Sequence, residues 1–352
     1  MTVSPSPFSG SSQDPFLACK ELAAAKNANL YRAAMRLNSA RQRFFLAAYA
    51  SMRVIDDIVD DGFLEKSDAE RDNLRDDTFD MIDRWQDQIE AAKVMADNPW
   101  PDVGPLPGPV YDALTLTLGE SDLSVDPWVK LADALRKDVA EDPLDEWDDF
   151  IGYCEGATAA PASIFVYLLS ARYDEEIGYV SNLTASPLYH ARDMAIFCYV
   201  IHILRDLPID IKGPDRLVTI PGEILLAADI SIGEIRNAIG QQNYDALNVM
   251  GTFMLEKAWE HFETGQARSA ELLAILEPEE TDTLSRLFSV YIELAAMMDA
   301  GYGAFLADRV AIIDTTADKS LPDQTTSVDI AIKTIPDTDN SESGSSDNST
   351  AS

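Results

Sequence analysis

Tyr49, Arg53, Asp56 and Asp60 follow one another at intervals of four, three and four residues. On an α-helix these offsets share one face, so a phenol, a guanidinium and two carboxylates point the same way. Asp57 and Asp61 fall on a neighbouring stripe. Carboxylates one turn apart repel each other unless a cation or base lies between them. A solvated acidic helix end would carry the same residues. The flanking Ile55, Ile58 and Val59 argue instead for a partly buried helix, and buried paired carboxylates take a metal or a partner.

A second stretch, Arg205-Asp206-Leu207-Pro208-Ile209-Asp210, repeats the pattern of an arginine followed by carboxylates one turn apart. If the two helices face each other, four carboxylates converge on one cavity. Oxygen donors of this kind suit hard divalent cations, and Mg²⁺ held this way normally keeps phosphate as a further ligand. Arg53, Arg205, Lys212 and Arg216 supply the cationic side of a diphosphate clamp.

The elements that must carry these groups read as helices. Residues 15 to 61 show helical apolar spacing without Gly or Pro after Pro15. Residues 66 to 96 form an acidic amphipathic helix with Leu74, Phe79, Ile82, Trp85 and Ile89 inward. Five prolines and two glycines between Asn98 and Pro109 require a loop. Further helices follow near 110–118, 127–138 and 144–154. The small residues from Gly156 to Ser163 let a backbone come close to a ligand or another helix, and Pro161 should kink or end the helix there. Residues 187–211 form the strong helix of the second motif, and 223–312 return to helical patterns. Strands of consequence are not expected. The fold class is all-α: one domain over 15–312 with helices around a central cavity, between a disordered N-terminus (1–14) and a disordered acidic tail (313–352).

The 352 residues carry a formal net charge of -34. Such a surface excludes nucleic acid as a partner, and it can hardly hold a diphosphate without metal in between. It suits a high-salt cytoplasm or an ordinary acidic protein. Three cysteines without a CxxC pair do not form a disulfide framework. No signal core or membrane-length apolar run is present, so the expectation is a cytoplasmic protein with no stable protein partner.

Taken together, these blocks resemble the squalene/phytoene synthase family. Tyr49-x-x-x-Arg53-x-x-Asp56-x-x-x-Asp60 resembles its first aspartate-rich motif. Arg205-Asp206-x-x-x-Asp210 with Arg216-x-x-x-x-Pro221 resembles its second. Lys137-Asp138, Asp145 to Phe150, Tyr153-Cys154-x-Gly156, and Tyr291 with Tyr302 resemble the segments around them. The resemblance runs from about residue 20 to about 310, in matching order.

It implies the isoprenoid synthase fold and a head-to-head prenyl transferase. Two farnesyl or geranylgeranyl diphosphates would condense through a cyclopropylcarbinyl diphosphate to squalene or phytoene. Asp56, Asp60, Asp206 and Asp210 would hold Mg²⁺, with Arg53 and Tyr49 completing the catalytic face. Arg53, Arg205, Lys212, Arg216 and Asn27-Ala28-Asn29 would bind diphosphate, the asparagines standing where the family has Ser-x-Ser. Tyr153, Ala157, Ala159, Tyr199 and Tyr291 would line the cavity. NADPH would be required if squalene is the product, and greasy products imply transient membrane contact.

Three departures bear on the chemistry. His202 replaces the usual Asn ligand, and either bonds diphosphate or an aspartate or simply packs. Tyr199 replaces a usual Gln. Pro208 replaces a common Gly and should kink its helix. Two other outcomes stay open: a partial reaction ending in an alcohol, and a silent scaffold of the same fold.

Overall fold

The computed structural model describes residues 14–25, 29–94, 104–214 and 218–317. The two termini expected to be disordered therefore lie almost wholly outside the described residues. Fifteen α-helices occur in the described part: α1 Pro15–Ala25, α2 Asn29–Ala34, α3 Ser39–Val59, α4 Asp68–Val94, α5 Gly108–Gly119, α6 Asp126–Ala140, α7 Trp147–Cys154, α8 Ala160–Ser170, α9 Pro187–Asp210, α10 Gly222–Ala227, α11 Ile232–Gly240, α12 Asn248–Arg268, α13 Ala270–Ile275, α14 Pro278–Asp299 and α15 Tyr302–Ala317.

Local chemistry sets the starts of the two motif helices. Asn38 caps α3 by accepting from the Arg41 N–H at 3.0 Å. Ser186 caps α9, with Pro187 at the first helical position, where a missing N–H costs nothing. Ile82, Trp85 and Ile89 of α4 are fully buried, and Leu74 and Phe79 half-buried, as the acidic amphipathic pattern requires.

Two apolar clusters form the core. One gathers Phe44, Phe45, Trp85, Trp128 and Tyr167 from α3, α4, α6 and α8. The other gathers Phe197, Ile201, Leu204, Met254 and Leu306 from α9, α12 and α15. Helix α9 lies between them, packed on α8 and on α12.

Two features differ from the sequence reading. A hairpin of β1 (Ala171–Asp174) and β2 (Gly178–Ser181) follows α8, antiparallel in register Ala171 to Ser181. And Pro161 does not break the chain's helical course. A π-helical turn, Glu155–Ala159, joins α7 to α8, and Pro161 sits in the first turn of α8, where it is tolerated. Small residues are needed there because the turn presses on α6. A Cβ on Gly156 would lie 2.2 Å from the Lys130 carbonyl oxygen.

Pro208 likewise leaves α9 continuous to Asp210. It cannot donate to the carbonyl of Leu204, and the Tyr302 hydroxyl donates to that carbonyl instead, at 2.9 Å. Tyr302 thus has the structural role that keeps the second motif helical.

The first motif is fixed at Ser51, which is fully buried. Its carbonyl accepts from the Trp85 indole at 2.8 Å, and its hydroxyl accepts from the Trp128 indole at 2.9 Å. Helices α3, α4 and α6 are therefore tied together half a turn before Arg53. Ser51→Ala strands the Trp128 N–H in the core and should cost about 1–3 kcal/mol, read as a lowered denaturation midpoint. An unchanged midpoint would refute this role.

Candidate active site

The first motif occupies the last turns of α3. Tyr49 stacks on Phe45, with ring centroids 5.3 Å apart. The Arg53 guanidinium bonds both Asp56 and Asp57. Asp60 ends the helix and opens a second π turn, Asp60–Leu64. Burial, then the like charges of Asp56 and Asp138, push its carboxyl up to about 8.

Asp138 is a residue of α6 that the motif reading did not single out as part of the site. It is 4 % exposed and accepts a hydrogen bond from the Tyr153 hydroxyl at 3.2 Å. Its signal lay in the sequence: it continues the apolar stripe of Leu131 and Leu135, where a carboxylate is out of place.

From Tyr153 a line of rings leads to the second motif. Tyr153 and Tyr199 have centroids 6.5 Å apart, and Tyr199 lies nearly parallel to His202 at 6.3 Å. Arg205 donates to Nδ1 of His202 at 2.8 Å. A guanidinium only donates, so Nδ1 keeps its lone pair and the proton sits on Nε2, 3.4 Å from Asp206 Oδ2. Nearly half of the His202 side chain remains accessible. Its crowded setting and the Arg205 charge nevertheless push its pKa down to about 4, so the ring is neutral at neutral pH. His202 bonds the second motif, with Nδ1 accepting from Arg205 and Nε2 facing Asp206.

Burial pushes Asp206 up, but Arg205, His202 and Arg309 outweigh it and hold the carboxyl below its usual range. Arg309, from α15, donates to Asp206 Oδ1 at 3.1 Å. The sequence reading missed it, although it lies on the buried stripe of Tyr302, Phe305 and Leu306. Asp210 is pushed up to about 7 by burial and the Asp206 charge.

Beside this polar strip lies an apolar cavity of about 190 Å³. Its walls are Phe165 and Val166 of α8, Ala195 and Cys198 of α9, and Leu287 and Phe288 of α14. Tyr291 belongs to the wall and also feels the Arg205 charge, so the cavity meets the second motif there.

The squalene/phytoene synthase family model matches residues 23–295. The chain belongs to the squalene/phytoene synthase family. Among solved structures, squalene synthase HpnC from Alicyclobacillus acidocaldarius is 16 % identical with a TM-score of 0.59, over 82 % of this chain and 94 % of that one. A dehydrosqualene synthase in complex with ligand is 14 % identical with a TM-score of 0.61, over 86 % of this chain and 97 % of that one. At these identities the likeness shows the fold. No curated protein matches the chain. The chain is therefore a prenyltransferase of this family with the all-α fold its residues predicted.

Of the residues the family pattern assigns to the lining, Ala157 and Tyr291 lie in the wall of this cavity. Three expected lining residues are elsewhere. Ala159 is fully buried in the packing of the π turn, while Tyr153 and Tyr199 stand between the two motifs. Lys212 is exposed just after α9. Asn27 and Arg216 lie outside the described residues, as does the Asn29 side chain. His261 bonds Asp193 at 2.9 Å, and His190 bonds the Arg268 carbonyl at 2.6 Å; sequence gave neither a partner. Burial pushes the Cys154 and Cys198 thiols up, consistent with packing rather than nucleophilic roles. Among the described residues no helix is long and apolar enough to cross a membrane.

Among the described residues no three His, Cys, Asp or Glu side chains form a ready metal cluster. Each motif instead offers a carboxylate pair. The donors are all oxygen, and burial together with a neighbouring carboxylate makes Asp60 and Asp210 retain protons despite the nearby arginines. That setting fits a hard divalent cation.

Both raised groups bind protons in the folded chain where the unfolded chain has lost them, between 3.8 and about 8 for Asp60. Their contribution to stability therefore falls as pH rises through that window. In chelator, the melting temperature should drop from about pH 5 to about pH 8, and Asp60→Asn should flatten the slope. An unaltered slope would show that Asp60 is not the strained group.

Proposed function

We propose that this enzyme condenses two prenyl diphosphates head-to-head, farnesyl or geranylgeranyl, to squalene or phytoene. The observation that carries the reading is the pair of carboxylate motifs joined by the Asp138–Tyr153–Tyr199–His202 line beside one apolar cavity.

In this reading Asp56, Asp60, Asp206 and Asp210 hold Mg²⁺. Bound there, the cation neutralises the diphosphate and favours its departure. The chain's own groups do the rest. Arg53, Arg205 and Arg309, now spent on aspartates, turn to the diphosphate oxygens as the carboxylates change partner, with Lys212 and Arg216 adding charge. Tyr153, held by Asp138, offers a hydroxyl that can give or take a proton between the two motifs. The cavity walls exclude water, and the rings of Phe165, Phe288 and Tyr291 face the hydrocarbon with electron-rich surfaces that tolerate an allylic cation. A silent scaffold is disfavoured because both motifs keep their arginines in contact.

The test is the full chain with Mg²⁺, given each diphosphate with and without NADPH. Hydrocarbon from the longer substrate without reductant means phytoene. Hydrocarbon from the shorter only with NADPH means squalene, and an alcohol means the partial reaction. Asp56→Ala or Asp206→Ala should lower kcat beyond the about 100-fold typical of removing a group that only orients a ligand. No diphosphate release from wild type would refute the enzyme reading.

A further inference from the structure

We propose that His190 is the chain-length stop of the cavity, and that it restricts the substrate to farnesyl length, three five-carbon units. The proposal rests on the prenyl transferase reading above.

Along α9, Ala191, Ala195, Cys198, His202 and Asp206 follow at intervals of four, three, four and four, on one face. The cavity wall takes the first three, and the second motif takes the last two. A substrate with its diphosphate at Asp206 therefore runs its tail back along α9 toward His190. There the cavity is lined by His190, Ser269 and Leu272.

The length along α9 sets what fits. Cys198 and His190 are eight residues apart, about 12 Å along the helix. An extended chain gains about 3.5 Å per three bonds, so a five-carbon unit of four bonds spans about 5 Å. The cavity thus holds about two units along its length. A similar length separates Cys198 from Asp206, enough for the diphosphate and the first unit. The sum is three units; a fourth meets the floor.

His190 is braced. His190 is 2 % exposed. A carbonyl only accepts, so Nδ1 carries a hydrogen to the Arg268 oxygen at 2.6 Å. Nε2 has no hydrogen-bond partner and faces Glu271 Oε2 at 3.4 Å. Arg268 is anchored in turn on Asp193, which is also bonded by Arg192 and His261. This network holds the imidazole in place, so a longer hydrocarbon meets a side chain that cannot swing aside.

The test uses the full chain with Mg²⁺ and farnesyl and geranylgeranyl diphosphate in competition, alongside thermal-shift affinities for their non-ionising thiolo analogues. Wild type should favour the shorter chain in both readouts. His190→Ala should raise the longer-to-shorter ratio on the order of 10- to 100-fold. Leu272→Ala, which opens the same floor with the imidazole kept, should move the ratio the same way and carries the test if the His190 variant does not fold. His190→Gln, polar and of similar reach, should keep the wild-type ratio. Equal losses for both chain lengths, or a wild-type preference for the longer, would overturn the proposal. Analogue discrimination without diphosphate release from the substrates would uphold the stop while refuting the prenyl transferase reading.

Discussion

The structure turns on the cost of burying a pair of carboxylates in each of two helical motifs. Burial and like charge penalise their ionised forms. The chain meets that penalty in two ways at once. Asp56 and Asp206 pair with arginines, while Asp60 and Asp210 keep protons well above the ordinary range. Neither arrangement is a final one. Guanidinium groups that neutralise aspartates are the same groups a diphosphate would use, and half-protonated carboxylates are ready to exchange protons for a cation.

Such a site works only if its two helices are held in fixed register. Ser51 does this for α3 by bonding two buried indoles from different helices. Tyr302 does it for α9 by satisfying the carbonyl that Pro208 frees. The apolar cavity follows from the same packing, because α8 and α14 face α9 with bulky side chains while Ala191 and Ala195 leave room. The excess negative charge elsewhere on the chain makes the enclosed arginines more valuable, since few cations compete for an anionic substrate.

The two motifs were legible because their geometry is local: three and four residues place groups on one helix face whatever the tertiary structure does. The all-α class was legible from periodicity for the same reason. What sequence missed depends on distant partners. Arg309 reaches Asp206 across more than a hundred residues, and Asp138 meets Tyr153 and Asp60 only after α6, α7 and α3 pack. Pro161 and Pro208 looked like breaks because a proline's effect depends on whether a π turn or a foreign hydroxyl absorbs it. The role of His202 could not be read from its type, since Arg205 decides which nitrogen holds the proton. The hairpin is too short and too mixed in burial to show a two-residue period.

The most direct measurement is calorimetric binding of inorganic diphosphate to the full chain at neutral pH, with and without Mg²⁺. Carboxylates that hold the cation and arginines that then change partner require diphosphate to bind only when Mg²⁺ is present. Equal binding in chelator, or none in Mg²⁺, would contradict the account.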